Sequence, residues 1–333
     1  MKAFLKRKNI EISAKKYFID AMSSMAMGLF ASLLIGTILD TIADKLMWQW
    51  LIDTAAYASS ATGPAMAVAI GASLSAPPLV MFSLAAVGVC SNTLGGPLGT
   101  LFAAIIACEL GKVVSKETKI DILVTPLVTI LSGAGISALI GPMVSKIMSG
   151  FGQIIMNATE LEPFFMGIIV SVTVGIALTL PISSAAICAS LGLIGLAGGA
   201  ATAGCCAQMI GFAVMSFKDN GWGGIAAQGL GTSMLQMGNI VRKPIVWLPP
   251  IIVSAITGPI ATCLFRMENG VAIASGMGTC GLVGPIGVMA SENFSIIAMV
   301  LVCVVLPAVL TPIVAFPFKK FGLIKEGDLK LDL

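Results

Sequence analysis

The sequence predicts an all-α polytopic membrane protein with about ten transmembrane helices, re-entrant glycine-rich hairpins and a two-fold internal repeat. Three observations lead there. Hydrophobic residues make up 57% of the 333 positions and charged residues 11%, with a mean hydropathy of +1.01. A soluble domain carries about 25% charged residues, so this chain lacks the polar surface needed to face water. Apolar segments recur at about 20 residues, the length that crosses a hydrocarbon core about 30 Å thick. Finally, glycine-rich polar stretches interrupt those segments. At membrane depth, irregular backbone survives only where protein or a water-filled cavity satisfies its polar groups.

Taken in order, residues 1–19 are polar and basic and read as a cytoplasmic N-terminal segment. The apolar run Ala21 to Ile42 is too long for a signal-peptide core and no clear cleavage site follows, so it reads as a retained first helix. Candidate spans then fall at about 20–43, 51–73, 77–95, 97–115, 122–147, 163–181, 183–200, 201–216, 245–265 and 294–318. Residues Ser149 to Glu162 turn polar enough to lie along the interface. Lys2, Lys6, Arg7, Lys8, Lys15 and Lys16 precede the first span, and Lys319, Lys320, Lys325 and Lys330 follow the last. By the positive-inside rule both ends are cytoplasmic, which demands an even number of spans. The domain reading is therefore a transmembrane domain over 20–318, with repeats at about 20–148 and 163–318, and a cytoplasmic tail over 319–333.

The repeat rests on short matches. Met27-Gly28 through Gly36 resembles Met166-Gly167 through Gly175, with Met, Gly, Ser and Gly at the same spacing. Leu98-Gly99-Thr100 matches Leu230-Gly231-Thr232, and Lys119 with Pro126 matches Lys243 with Pro250. The sense of the repeat, inverted or not, stays open.

Ser91-Asn92-Thr93-Leu94-Gly95-Gly96-Pro97-Leu98-Gly99-Thr100 is the stretch least able to propagate as a regular helix, because glycine loosens the backbone and proline removes a donor. Gln228-Gly229-Leu230-Gly231-Thr232-Ser233 is its candidate echo. Gly221 to Gln236 and Gly270 to Gly287 fit poorly as full spans and read as re-entrant hairpins or as extramembrane loops. Asn92, Thr93, Thr100, Gln228, Thr232, Gln236 and Asn239 are the candidate substrate-binding residues. An amide donates and accepts at once, which suits a neutral polyhydroxyl ligand. The alternative is that these groups pair helices by hydrogen bonds. Glu160 and Glu162, before the apolar run at Pro163, are further candidates for sugar hydroxyls or a proton; equally, they favour the positive end of the helix that follows. Glu109 with Lys112 three residues on reads as an ion pair or as a proton or cation site. Asp20, Asp40, Asp44 and Asp53 sit near helix ends and read as boundary residues.

Composition also excludes. There is no histidine, so no Ser-His-Asp hydrolase, histidine relay or phosphohistidine is possible. The eight cysteines are scattered through apolar segments without Cys-x-x-Cys or carboxylate clusters, so no metal site is expected. The phosphate loop of an ATP-driven motor is missing, as is a basic patch interleaved with aromatics for nucleic acid. No catalytic group and no cofactor are expected, and the chain reads as a transport subunit rather than an enzyme.

The run Tyr17-Phe18-Ile19-Asp20-Ala21-Met22-Ser23-Ser24-Met25-Ala26-Met27-Gly28-Leu29-Phe30-Ala31-Ser32-Leu33-Leu34-Ile35-Gly36-Thr37-Ile38 resembles the phosphotransferase-system EIIC-like membrane protein family of the perfringolysin O regulator type. Thr179-Leu180-Pro181-Ile182-Ser183-Ser184-Ala185-Ala186-Ile187 and the Ser91–Thr100 stretch are similar to the same family. The resemblance covers nearly the whole chain. It implies a sugar-permease-like membrane domain, a homodimer in a bacterial cell membrane, working with separate IIA and IIB phosphocarrier proteins. No IIB domain is seen in the sequence, and without histidine there is no IIA phosphorylation site, so any phosphate must come from another polypeptide. The function expected is a permease that binds and translocates a small polar solute such as a sugar by alternating access. The alternatives are a membrane-embedded sensor or regulator without net transport, and an ion-coupled secondary carrier using Glu109, Glu160 or Glu162.

Overall fold

The computed structural model describes residues 2–11 and 13–331, with the side chains at 2, 3, 34, 41, 44 and 45 outside the description, so the expectations on the side chains of Lys2 and Asp44 fall outside what is described. Every named element among the described residues is helical. Among the described residues six helices are long and apolar enough to cross a membrane: Lys16–Asp40, Pro78–Val114, Asp121–Thr159, Gly195–Met215, Pro244–Leu264 and Ile296–Lys320. Pro163–Thr179 and Cys280–Met289 are shorter apolar helices. Together with the composition this makes the chain a multi-pass, all-α membrane protein. It divides into two compact units, Met1–Ile147 and Met148–Leu333.

In the first unit, the helix Thr62–Ser73 packs against both Ala21–Leu29 and Pro78–Val114. The span expected over 51–73 is two helices, Gln49–Ser60 and Thr62–Ser73, separated at Ala61 (φ −77°, ψ 0°). Hydroxyls stabilise that joint locally. Ser60 Oγ donates to Tyr57 O at 2.8 Å, a carbonyl that also accepts from Ala61 N at 3.2 Å, and Thr62 Oγ1 donates to Ser59 O at 2.6 Å. After a left-handed Ser75 (φ 57°), Pro78 opens the next helix at a position where no N–H is needed.

The second unit is built around Gly195–Met215. Burial covers 89% of its apolar window, against 28% for Ile296–Lys320; the first is a central helix and the second an outer one whose apolar side chains face outward. The sequence of Gly195–Met215, rich in Gly and Ala, explains the position. Without lipid-like bulk, small residues let neighbouring backbones approach. Pro163–Thr179, Leu248–Pro259 and Leu306–Lys320 all pack on it. The two spans expected at 183–200 and 201–216 are thus a short helix, Ser184–Ser190, a left-handed Gly192 (φ 58°), and one continuous helix from Gly195. Glycines inside that helix do not break it, because the packed neighbours compensate for their low propensity.

At Gly204 the neighbouring helix packs closely. A Cβ there would lie 2.6 Å from Ser171 Cα on the neighbouring helix. We therefore expect Gly204→Ala to lower stability by about 1–3 kcal/mol, the usual cost of overpacking. Chemical denaturation of the purified protein checks it, with Gly150→Ala, where a Cβ meets open space, as the control.

Candidate functional site

In the first unit the Ser91–Thr100 stretch does break. The helix Pro78–Val114 is interrupted at Gly96 (φ 57°, ψ −156°), a conformation that only glycine adopts without strain, and Pro97 follows it. Two buried hydroxyls hold the break. Thr100 Oγ1 donates to Gly96 O at 3.0 Å, and Ser91 Oγ to Thr100 Oγ1 at 3.1 Å. Thr93 is exposed and bonds back to Val89 O at 2.8 Å. Asn92 is half-buried, and its amide makes no hydrogen bond among the described residues. Of the three candidates here, Asn92 alone has donor and acceptor capacity to offer a solute.

In the second unit Gly221 has nearly the same backbone as Gly96 (φ 58°, ψ −153°). The conformational counterpart of the first break therefore lies seven to ten residues ahead of the motif match at Gln228–Gly231. From Ala227 to Gly231 the chain makes a π turn, then Thr232 is extended (φ −159°, ψ 144°). Thr232 accepts from Met234 N at 3.2 Å and so starts the following turn, Ser233–Gln236.

This segment connects two buried polar clusters. Ser233 joins the first. Its hydroxyl lies 2.8 Å from that of Thr179, which is 3.3 Å from Gln208 Oε1. Trp247 Nε1 donates to the same Gln208 oxygen at 2.9 Å, and Gln208 Nε2 donates to Ser254 Oγ at 3.2 Å. Gln208, a fully buried amide in the central helix, was not among the sequence candidates. The available signal was a lone amide inside an otherwise apolar helical run.

Gln228, Gln236 and Asn239 form the second cluster. Gln228 Nε2 donates to Ser216 Oγ at 2.9 Å and Gly224 O at 3.0 Å, while Gln236 Nε2 donates to Gln228 Oε1 at 2.9 Å. Asn239 Nδ2 donates to Gln236 Oε1 at 2.8 Å. The row ends on the chain's own residues 324–331. Gln236 Nε2 donates to Leu329 O at 3.0 Å and Asn239 Nδ2 to Lys330 O at 2.9 Å. Asn220 grips the same segment from both sides, donating to Leu329 O and accepting from Leu331 N, each at 2.8 Å. Lys243 Nζ pairs with Asp328 Oδ2 at 2.6 Å, and Asp219 accepts from Gly327 N at 2.9 Å. Burial works to raise the pKa of Asp328, but hydrogen bonds from Lys243 and the Lys325 N–H outweigh it and hold the carboxyl below its ordinary value. Three of the four amides selected from the sequence, Gln228, Gln236 and Asn239, are therefore brought together, with main-chain carbonyls of the strap on the donors of Gln236 and Asn239.

Glu160 and Glu162 are not part of this. Both are exposed, and neither forms an ion pair among the described residues. Glu162 precedes the helix Pro163–Thr179 without a side-chain capping bond, and Thr159 bonds back to Met156 O at 2.7 Å. Glu109 pairs with Lys112 at 3.0 Å, the i,i+3 contact that their spacing suggests.

The amides, hydroxyls and indole of these clusters hold one another and main-chain carbonyls, with the Lys243–Asp328 pair tethering the strap beside them. Amides and hydroxyls both donate and accept hydrogen bonds. No curated protein and no solved structure matches the chain. A family model described as Phosphotransferase system, EIIC, does match over residues 19–331. That range takes in both units, both breaks and the strap: the chain belongs to the phosphotransferase system EIIC family.

Proposed function

We propose that this chain is the permease subunit of a phosphotransferase-type system that binds a small polar solute, such as a sugar, and moves it by alternating access. Separate IIA and IIB proteins carry out any phosphorylation, the protein works as a homodimer, and both termini are cytoplasmic. Asn92, with Thr93 and Thr100 about the first break, and Gln228, Thr232, Gln236 and Asn239 about the second, are the groups that hold the solute. Glu160 and Glu162 are secondary candidates. The observation that carries the reading is the unbonded, half-buried Asn92 amide beside Gly96. An amide whose donor and acceptor are both unengaged can offer both to a neutral hydroxyl ligand.

Proteoliposomes loaded with a panel of labelled sugars test the reading. We expect saturable uptake of one of them and a loss of affinity of roughly tenfold in Asn92→Ala, the size of about one hydrogen bond, at unchanged melting temperature. Wild-type affinity in Asn92→Ala would remove Asn92 from the site. The strap on the amide row favours a second reading, a sensor that binds solute without net transport. Saturable binding with no uptake selects it.

A further inference from the structure

A cavity of about 330 Å³ in the first unit is walled by Arg7, Lys8, Lys112 and Lys116, with Glu117 also in its lining. Four cations face one carboxylate across it. A second carboxylate, Glu109, sits behind Lys112, and a third, Asp121, accepts from Lys116 N at 2.6 Å, so the surroundings keep a net positive charge of about one.

The cations differ in what they have free. Lys112 is buried, and its three N–H groups are taken by Glu109 Oε1 at 3.0 Å, Leu74 O at 2.9 Å and Asn9 O at 3.1 Å; it contributes field rather than a hydrogen bond. Lys8 donates to Ser115 O and pairs with Glu117 at 2.5 Å, and Arg7 pairs with the same carboxylate oxygen at 2.7 Å. Those contacts, Lys8 first, hold the Glu117 carboxyl below its ordinary pKa, so it is charged at neutral pH. Lys116 forms no ion pair among the described residues. Glu117 is thus the cavity's internal anion, one charge serving two cations, on a side chain 37% exposed and able to swing out.

The backbone gives a second, independent sign. Six non-glycine residues among those described have positive φ, and three of them line this cavity: Asn9 (54°), Ser75 (57°) and Lys116 (60°). Side chains disfavour that conformation, and residues held in it gather at ligand sites because the surrounding structure must impose it. Here it turns three separate segments inward around one space.

We propose that this cavity binds a phosphomonoester group, which displaces Glu117 from Arg7 and Lys8 and recruits Lys116. A phosphate dianion carries more charge than the carboxylate it replaces and has three acceptor oxygens for the three cations. The donors come from the arm at 7–9 and the loop at 115–117, so the bound group ties these two segments together. Both are basic, and the positive-inside rule puts them on the cytoplasmic face, within reach of soluble phosphate esters and of monoester lipid headgroups.

The test uses the full-length protein in phosphatidylcholine nanodiscs, titrated by calorimetry with inorganic phosphate and with glycerol 3-phosphate. A second arm replaces part of the lipid by phosphatidic acid and asks whether it blocks the soluble ligands. Saturable binding is expected, weakened roughly tenfold in Lys116→Gln and tightened several-fold in Glu117→Gln, which removes the competing anion. Opposite shifts in these two variants identify the site. Block by phosphatidic acid assigns the group to a lipid headgroup, and its failure assigns it to a soluble ester. No saturable binding in either arm overturns the proposal. So does a Glu117→Gln variant that binds no better than wild type, because a purely structural Arg7–Lys8–Glu117 latch predicts no gain. Lys116 has no ion pair to lose, so Lys116→Gln keeps the test interpretable if Glu117→Gln fails to fold.

Discussion

Removing the chain beyond Leu323 is expected to destabilise the second unit by at least about 3 kcal/mol, because three amides each lose one main-chain acceptor, at about 1–3 kcal/mol apiece where the donor stays buried. Asn220, Gln236 and Asn239 all end on carbonyls of Leu329 or Lys330, and Ile324 and Leu329 are buried apolar anchors of the same segment. Water admitted to the vacated row recovers part of the loss, which is why the lower end of the summed cost is the expected figure. Hydrogen exchange over Gly229–Arg242 should accelerate strongly in the truncated protein, and its melting temperature should fall. Unchanged protection there would show that the strap merely rests on the surface. The charged tether adds a pH signature. Asp328 has a depressed folded pKa, so its contribution is complete above the ordinary aspartate value of 3.8 and is lost only as pH falls through the lower folded value. The strap therefore stays tethered throughout the neutral range, and opening it requires competition for its carbonyl sites rather than titration. A solute whose hydroxyls engage Gln236 and Asn239 would supply that competition.

Lys112→Met should cost about 3–5 kcal/mol, the range for breaking a buried ion pair from one side. Lys112 is 1% exposed and satisfies Glu109 together with the carbonyls of Asn9 and Leu74. The other carboxylate oxygen of Glu109 is buried and makes no hydrogen bond among the described residues, so the variant would leave the carboxylate without its ion-pair partner. The double variant Lys112→Met with Glu109→Gln should recover a large part of the loss, since exchanging both partners removes the isolated charge. Denaturation of the four proteins in one detergent measures the coupling. If the double variant is as unstable as Lys112→Met, the two carbonyl contacts, rather than the ion pair, account for the role of Lys112. The second unit has a related contact. Lys319 Nζ donates to Met215 O at 3.1 Å, where the central helix ends, much as Lys112 bonds Leu74 O just past the helix Thr62–Ser73.

Much of the architecture follows from composition. A chain with 11% charged residues can satisfy its backbone in lipid only as helices or a closed barrel, and segments of about 20 apolar residues select helices. The Glu109–Lys112 pair and the break at Gly96 are local events, set by residues three positions apart and by one left-handed φ, and both were readable from spacing. Helix continuity through Gly195–Met215 was not. Its glycines and alanines resemble a break until three packed neighbours are known. Ala61 shows the reverse case, since nothing apolar ends there and only the hydroxyl bonds at Ser60 and Thr62 show how the chain closes one helix and starts the next.

The amides divide along the same line. Sequence by itself determined that this is an all-α, multi-pass membrane protein of the EIIC kind, and that its polar chemistry consists of amides and hydroxyls without histidine, because composition and local periodicity carry those facts. Tertiary structure alone decided what each amide meets. Gln208 finds Trp247 across 39 residues, Gln236 finds Leu329 across 93, and Asn92 is left with no partner among the described residues. Hydrogen bonds act over about 3 Å and depend on direction. Which donor meets which acceptor is therefore settled by how helices pack, and no stretch of sequence read on its own contains that distance.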